Sequence, residues 1–107
     1  MRIISGEFKG KILISPDDNE IRPTSDRGKE VIFNTLSSIL YKQDKEYKEI
    51  NILDIFCGSG SLGIEAISRG GKNIFFIDNS KKAINLTKMN CEKLNIKNVN
   101  LLNYNFF

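Results

Sequence analysis

Asp54-Ile55-Phe56-Cys57-Gly58-Ser59-Gly60-Ser61-Leu62-Gly63 is an apolar run that breaks into a glycine turn and leads straight into helix-forming sequence. Glycines 58, 60 and 63 have the spacing G-x-G-x-x-G, which is informative only where a strand precedes it and a helix follows. Both conditions hold. Ile50 to Phe56 reads as a mostly apolar strand. Ser61 to Arg69 reads as a short helix with Leu62, Ile64, Ala66 and Ile67 for packing, stopped by Gly70-Gly71. A glycine in such a turn lets the backbone approach a ligand that a Cβ would hold off. The helix start beyond it offers free N–H groups.

Downstream, Ile74-Phe75-Phe76-Ile77-Asp78 reads as a second strand, apolar on both faces as a buried parallel sheet requires. Asn79 or Ser80 caps a helix running to about Leu94, with Ala83, Ile84, Thr87, Cys91 and Leu94 inward. A turn at Asn95–Asn98 precedes a third strand from Val99 to Asn103. The order β-α-β-α-β predicts an α/β fold. It is a Rossmann-like, doubly wound parallel sheet with strand order 3-2-1, truncated after the third strand.

Upstream, Gly6 and Gly10 punctuate short apolar runs, which predicts a small β-hairpin or extended arm over residues 1–24. Pro16-Asp17-Asp18-Asn19 reads as a turn, and Pro23 biases Arg22 toward extended backbone. A helix from about Ser25 to Tyr41 follows, with Val31, Ile32, Phe33, Leu36, Ile39 and Leu40 on its apolar face. Thr24 or Ser25 can cap it, and Gly28 weakens it. Residues 42–49 form a charged surface connection. Residues 25–107 are thus expected to be an incomplete cofactor-binding domain behind the arm.

Composition narrows the chemistry. The chain has 107 residues, 40% hydrophobic and 27% charged, which suits one small globular domain. No apolar run approaches a membrane span and no signal peptide is legible, so a cytoplasmic location is expected. Histidine is absent, which excludes a His base or His metal ligand, and Cys57 and Cys91 do not form a metal-type pair. No metal and no membrane partner are expected. Net charge is +3, but residues 1–30 balance, and the excess lies at Lys81, Lys82, Lys88, Lys93 and Lys97. A solvated helix face explains it as well as nucleic acid does.

The acids select the ligand. A pyridine-nucleotide turn sets a pyrophosphate on the helix start. Asp54 would put negative charge beside it, whereas S-adenosylmethionine carries an ammonium and a sulfonium. Asp78, ending the second strand, can accept both ribose hydroxyls, with Asn79 beside it. The loop after the third strand, Asn103-Tyr104-Asn105, should edge the adenine. Plainer readings stand beside these. Asp54 can be a helix-capping carboxylate, Gly60 and Gly63 can serve strand–helix packing, and Asp78 can be a strand-end cap. Cys57 is a small residue in a tight turn, and Phe56 is read as packing before a stacking surface.

The pattern Asp-x-Phe-x-Gly-Ser-Gly-x-x-Gly resembles motif I of class I S-adenosylmethionine-dependent methyltransferases. Met1-Arg2-Ile3-Ile4-Ser5-Gly6-Glu7-Phe8-Lys9-Gly10-Lys11 resembles the N-terminal arm of the RsmD family. So does Arg22-Pro23-Thr24-Ser25-Asp26-Arg27, continuing to Glu30 and Phe33-Asn34-Thr35-Leu36. The likeness runs through essentially the whole chain. That family comprises bacterial enzymes that methylate the N2 amine of a guanine in 16S ribosomal RNA of the small subunit. The resemblance implies S-adenosyl-L-methionine as cofactor, held by Asp54, Phe56, Gly58, Gly60, Gly63, Asp78 and Asn79, with Asn105 near the adenine. It implies that Arg22, Thr24 and Arg27 lie at the mouth of the site toward RNA or brace the cofactor loop. Phosphate contacts by Arg2, Lys9 and Lys11 are a hypothesis for the arm, with a plain surface hairpin as its alternative.

Departures qualify the likeness. Asp78 stands where the family commonly has Glu, Asn105 where it commonly has Asp, and Gly28 where it has an apolar residue. Family members continue into an Asp/Asn-Pro-Pro-Tyr/Phe turn that orients the target amine. Here the only prolines are Pro16 and Pro23, so no catalytic residue is assigned. The chain is expected to be a truncated form, inactive alone. The alternative is a non-catalytic module that binds S-adenosylmethionine or RNA, or one subunit of a split enzyme. With order 3-2-1 the first strand becomes an exposed edge, so self-association is expected.

Overall fold

The computed structural model describes residues 1–15 and 24–106. Its elements follow the order helix α1 (Asp26–Lys42), a 3-10 turn (Tyr47–Glu49), β1 (Asn51–Ile55), α2 (Ser61–Ser68), β2 (Asn73–Asp78), α3 (Lys81–Lys93) and β3 (Asn100–Asn103). The strands form one parallel sheet in which β2 is central, as the order 3-2-1 requires. Strand pairing sets Asp54 beside Phe76 and Asp78 beside Asn103.

Helices α2 and α3 cover one face of the sheet. Ile74 and Phe76 point into that side and are buried with Ile64, Ala66, Ala83 and Cys91. Close approach depends on Gly63, whose missing Cβ would lie 2.2 Å from the Phe76 ring. The N-terminal segment doubles back on itself through an antiparallel bridge, Arg2 to Ile12, with Ile3 N–H donating to the Lys11 carbonyl at 2.9 Å. Its apolar residues Ile3 and Leu13 join the same core as the sheet side chains. The arm is therefore a third layer over the helices.

Helix α1 matches its expected span, and Ser25 is the cap, accepting from Gly28 N–H at 3.0 Å. Gly28 thus sits in the first turn and not in the helix interior. The apolar face is narrower than its sequence: Phe33 and Leu40 are buried, while Val31, Ile32 and Ile39 are exposed. The connection after α1 is also less purely polar than expected. Tyr47 packs its ring near Phe33, and its hydroxyl lies 2.6 Å from Ser37 Oγ.

The second face of the sheet departs from the expectation of a strand buried on both sides. Leu53 is 55% exposed, Ile55 46%, Phe75 38% and Leu102 51%. These alternate with the inward residues, so they share one bare apolar surface. Among the described residues β1 pairs only with β2. The chain alone is expected to self-associate through this face or edge. Light scattering across a dilution series should show species above the monomer mass, and Leu53→Lys with Ile55→Thr should reduce them. A wild-type monomer unchanged by concentration would contradict this.

Candidate functional site

The carboxyl ends of the three strands converge on the glycine turn. Phe56 and Gly58 have left-handed backbone, φ 62° and 58°, and Gly60 follows at φ 82° as the residue before α2. Only glycine adopts this region without strain, so Phe56 is the unusual member of the turn. Gly60 has a second reason to be glycine: a Cβ would lie 2.7 Å from Thr87 Cγ2. At Gly60 and Gly63, packing against α3 and the sheet accounts for the absent side chains.

Both acids hold the turn together. Asp54 is buried beneath it, and its Oδ2 accepts from the N–H of Gly63 at 3.0 Å, capping the first turn of α2. Burial pushes the Asp54 carboxyl up to about 6, the Gly63 N–H pulls it down, and the negative Asp78 nearby raises it further. Asp78 is also buried. Its Oδ2 accepts from Gly58 N–H at 3.1 Å and its Oδ1 from Ser80 N–H at 2.9 Å. Neither acid forms an ion pair with a Lys or Arg among the described residues. The end of the sheet therefore holds two buried acids, met by backbone N–H groups but by no cationic side chain among the described residues.

Exposed aromatics rim the same end. Phe106 lies 5.2 Å from Phe56 and 5.3 Å from Tyr104, centroid to centroid. The Tyr104 N–H donates to the Asp78 carbonyl at 2.9 Å, which fixes this segment over the end of β2. Asn79 and Asn105 are exposed beside it. Asp54, Phe56, Gly58, Gly60, Gly63, Asp78, Asn79 and Asn105 thus cluster at one end of the sheet. Thr24 and the exposed Arg27 flank the cap of α1, and that turn meets the arm, where Arg2 Nε contacts Asp26 Oδ2 at 3.1 Å. Arg22 and the Pro16–Asn19 turn lie outside the described residues. A cleft of about 550 Å³ between arm and α1 is lined by Arg2, Ser5, Lys9, Asp26, Glu30 and Arg69. Arg69 ends α2, so this cleft sits at the other end of that helix from the glycine turn.

Two residues that shape the turn escape sequence reading as such. Thr87 Oγ1 donates to the Gly58 carbonyl at 2.9 Å, and Asn90 Nδ2 donates to the Ser59 carbonyl at 2.9 Å. Both are fully buried on α3. Thr87 is legible as inward-facing, but its role is not; Asn90 carries no signal apart from its spacing from Thr87. Cys57 lies 3.4 Å from Thr87 Oγ1, and burial pushes its thiol up to about 11, so it is not a nucleophile at neutral pH. Among the described residues no cluster of His, Cys, Asp and Glu is arranged to hold a metal, and no helix is long and apolar enough to cross a membrane.

A parallel sheet with a strand–glycine turn–helix unit and acids in the first strand and at the end of the second is the Rossmann-like fold of methyltransferases. The family described as conserved hypothetical protein 95 matches residues 1–106, and the chain belongs to it, the RsmD family. The chain is 38% identical over 92 residues to ribosomal RNA small subunit methyltransferase D of Haemophilus influenzae, covering 86% of this chain and 44% of that protein. It is 42% identical over 90 residues to the rRNA methyltransferase candidate YlbH of Bacillus subtilis, covering 84% and 45%. The solved structure of the Escherichia coli methyltransferase candidate yhhF superposes with a TM-score of 0.80 at 30% identity, over 98% of this chain and 52% of that one. The matched segment covers less than half the length of each of these two curated relatives.

Proposed function

We propose that this chain carries the S-adenosylmethionine-binding part of a methyltransferase acting on the N2 amine of a guanine in 16S ribosomal RNA of the small subunit, in the cytoplasm. The observation that supports this most is the pair of buried acids around a left-handed glycine turn, uncompensated by any Lys or Arg among the described residues. That arrangement suits a cationic nucleoside and repels a pyrophosphate. Asp54 would face the ammonium. Asp78, although both oxygens already accept a backbone N–H, keeps a second lone pair on each for ribose hydroxyls. Phe56, Gly58, Gly60, Gly63, Asn79 and Asn105 would complete the cofactor site, with Asn105 at the adenine. When bound, the cofactor supplies an activated methyl group. The chain's own contribution is to hold it and keep it oriented. Arg22, Thr24 and Arg27 would serve the RNA, as would exposed Lys9 and Lys11 on the arm.

The expected result is calorimetric binding of S-adenosylhomocysteine and much weaker binding of NADH. The reverse order would sink the assignment. Methyl transfer to undermethylated small subunits by the 107-residue chain is expected to be absent, because the sequence holds no Pro-Pro turn to orient the target amine. Measurable transfer would refute that.

A further inference from the structure

We propose that Asn90 is a positioning residue that couples the N-terminal arm to the glycine turn, so that the turn's fitness for its ligand depends on how the arm is seated. This rests on the reading of the turn as the cofactor site. Asn90 sits on α3, fully buried, and uses its whole amide. Its Oδ1 accepts from Ile14 N–H at 2.6 Å, and its Nδ2 donates to the Ile14 carbonyl at 3.2 Å and to the Ser59 carbonyl at 2.9 Å. One side chain thus pairs with a residue of the arm much as a neighbouring strand would, and holds a carbonyl of the turn with the same nitrogen. The arm touches the turn a second time, where Ser59 Oγ approaches Met1 Sδ at 3.4 Å. Met1 is itself tied to the far limb of the arm by the Leu13 N–H, at 2.9 Å from the Met1 carbonyl.

The physical consequence is a shared constraint. The Ser59 carbonyl is turned toward α3 only while the Asn90 amide holds its plane, and Ile14 fixes that plane by both its N–H and its carbonyl. An amide that loses Ile14 regains rotation about its last torsion, and the grip on Ser59 loosens with it. The arm's exposed basic residues, Lys9 and Lys11, lie in the same segment. Seating of the arm on a polyanion and occupancy of the turn are then linked, and the linkage is reciprocal.

The test uses the full chain and two substitutions at opposite ends of the joint. Ile14→Pro removes the single N–H that Asn90 accepts, and Asn90→Ala removes the joint. Hydrogen exchange of residues 57–61 is read without ligand, and S-adenosylhomocysteine affinity is read by calorimetry. Circular dichroism checks that each variant is folded. Ile14→Pro is expected to speed exchange in the turn and weaken affinity about fivefold, the worth of one hydrogen bond. Asn90→Ala should cost more, and the double variant no more than Asn90→Ala alone, because both act through one path. Additive losses would overturn the coupling. So would a turn whose exchange is unmoved by Ile14→Pro, since Asn90 would then brace the turn without regard to the arm. If Asn90→Ala does not fold, the exchange measurement on Ile14→Pro decides alone. If wild type binds no S-adenosylhomocysteine but its turn loosens in Ile14→Pro, the cofactor reading fails and the joint stands.

Discussion

Glu65→Ala is expected to cost about 3–5 kcal/mol, the loss seen when one partner of a buried charge cluster is removed. Total stability for a small domain is about 5–15 kcal/mol, so the loss is a large share of it: the arm should loosen and the denaturant midpoint should fall steeply. Glu65 is fully buried, and its two oxygens hold four groups. Oε1 accepts from Ile4 N–H at 2.9 Å and faces Lys29 Nζ at 3.8 Å. Oε2 accepts from Ser5 N–H at 3.1 Å and from Arg69 Nε at 3.0 Å, and the Arg69 guanidinium lies over the Phe33 ring at 4.7 Å. Truncation strands two backbone donors and leaves Lys29 a buried cation without its carboxylate. Lys29→Met should be far milder. Burial already pushes the Lys29 amine below its usual range, against the pull of Glu65 and Asp26. Without it Glu65 keeps Arg69 and both N–H donors, and what remains orphaned is the Arg2 carbonyl that Lys29 bonds. Denaturant midpoints of the two variants check the asymmetry; equal losses would show that the charges act only as a pair.

That clamp also marks the limit of what the sequence discloses. The sheet order, both crossover helices and the end of the sheet where the site forms are legible from apolar runs, a glycine turn and two acids, because each is encoded by neighbours along the chain. Glu65 and Ser68 read instead as the polar face of a short helix. They are buried because backbone groups about 60 residues upstream reach them: Ile4 and Ser5 for Glu65, Phe8 and Ser5 for Ser68. No local periodicity records a partner that distant. Gly6 belongs to the same clamp, since its missing Cβ would lie 1.9 Å from the Ser68 carbonyl oxygen. The opposite error has the same origin. Val31, Ile32 and Ile39 form an apolar stripe with the correct period, yet the neighbours that α1 meets are reached by Phe33, Leu36 and Leu40. Periodicity states which residues can be buried; it does not state which surface is covered.

Asp54→Asn is expected to weaken S-adenosylhomocysteine binding about 10- to 100-fold at pH 7.5, the range for losing a charged hydrogen bond, while making the free protein more stable. The amide carbonyl that replaces the carboxylate keeps an acceptor for the Gly63 N–H, so a role confined to capping α2 would leave affinity untouched. Stability separates the two roles further. The Asp54 carboxyl is raised to about 6 in the folded chain from an ordinary 3.8. Between those values the native state binds the proton and the unfolded chain does not, so Asp54 makes wild-type stability fall as pH rises from about 4 to about 6. Above that window the buried charge is fully unfavourable, by an amount on the order of 3 kcal/mol. Removing the charge should flatten that dependence and raise the midpoint at neutral pH. Ligand binding carries the opposite sign: the ammonium needs the ionised carboxylate, so wild-type affinity should fall as pH drops below about 6, with a proton released on binding there. In Asp54→Asn that pH dependence should vanish. Calorimetry in buffers of different ionisation enthalpy reads the proton directly. Equal affinity of variant and wild type at pH 7.5 would leave Asp54 as a helix cap and take the cationic-nucleoside assignment with it.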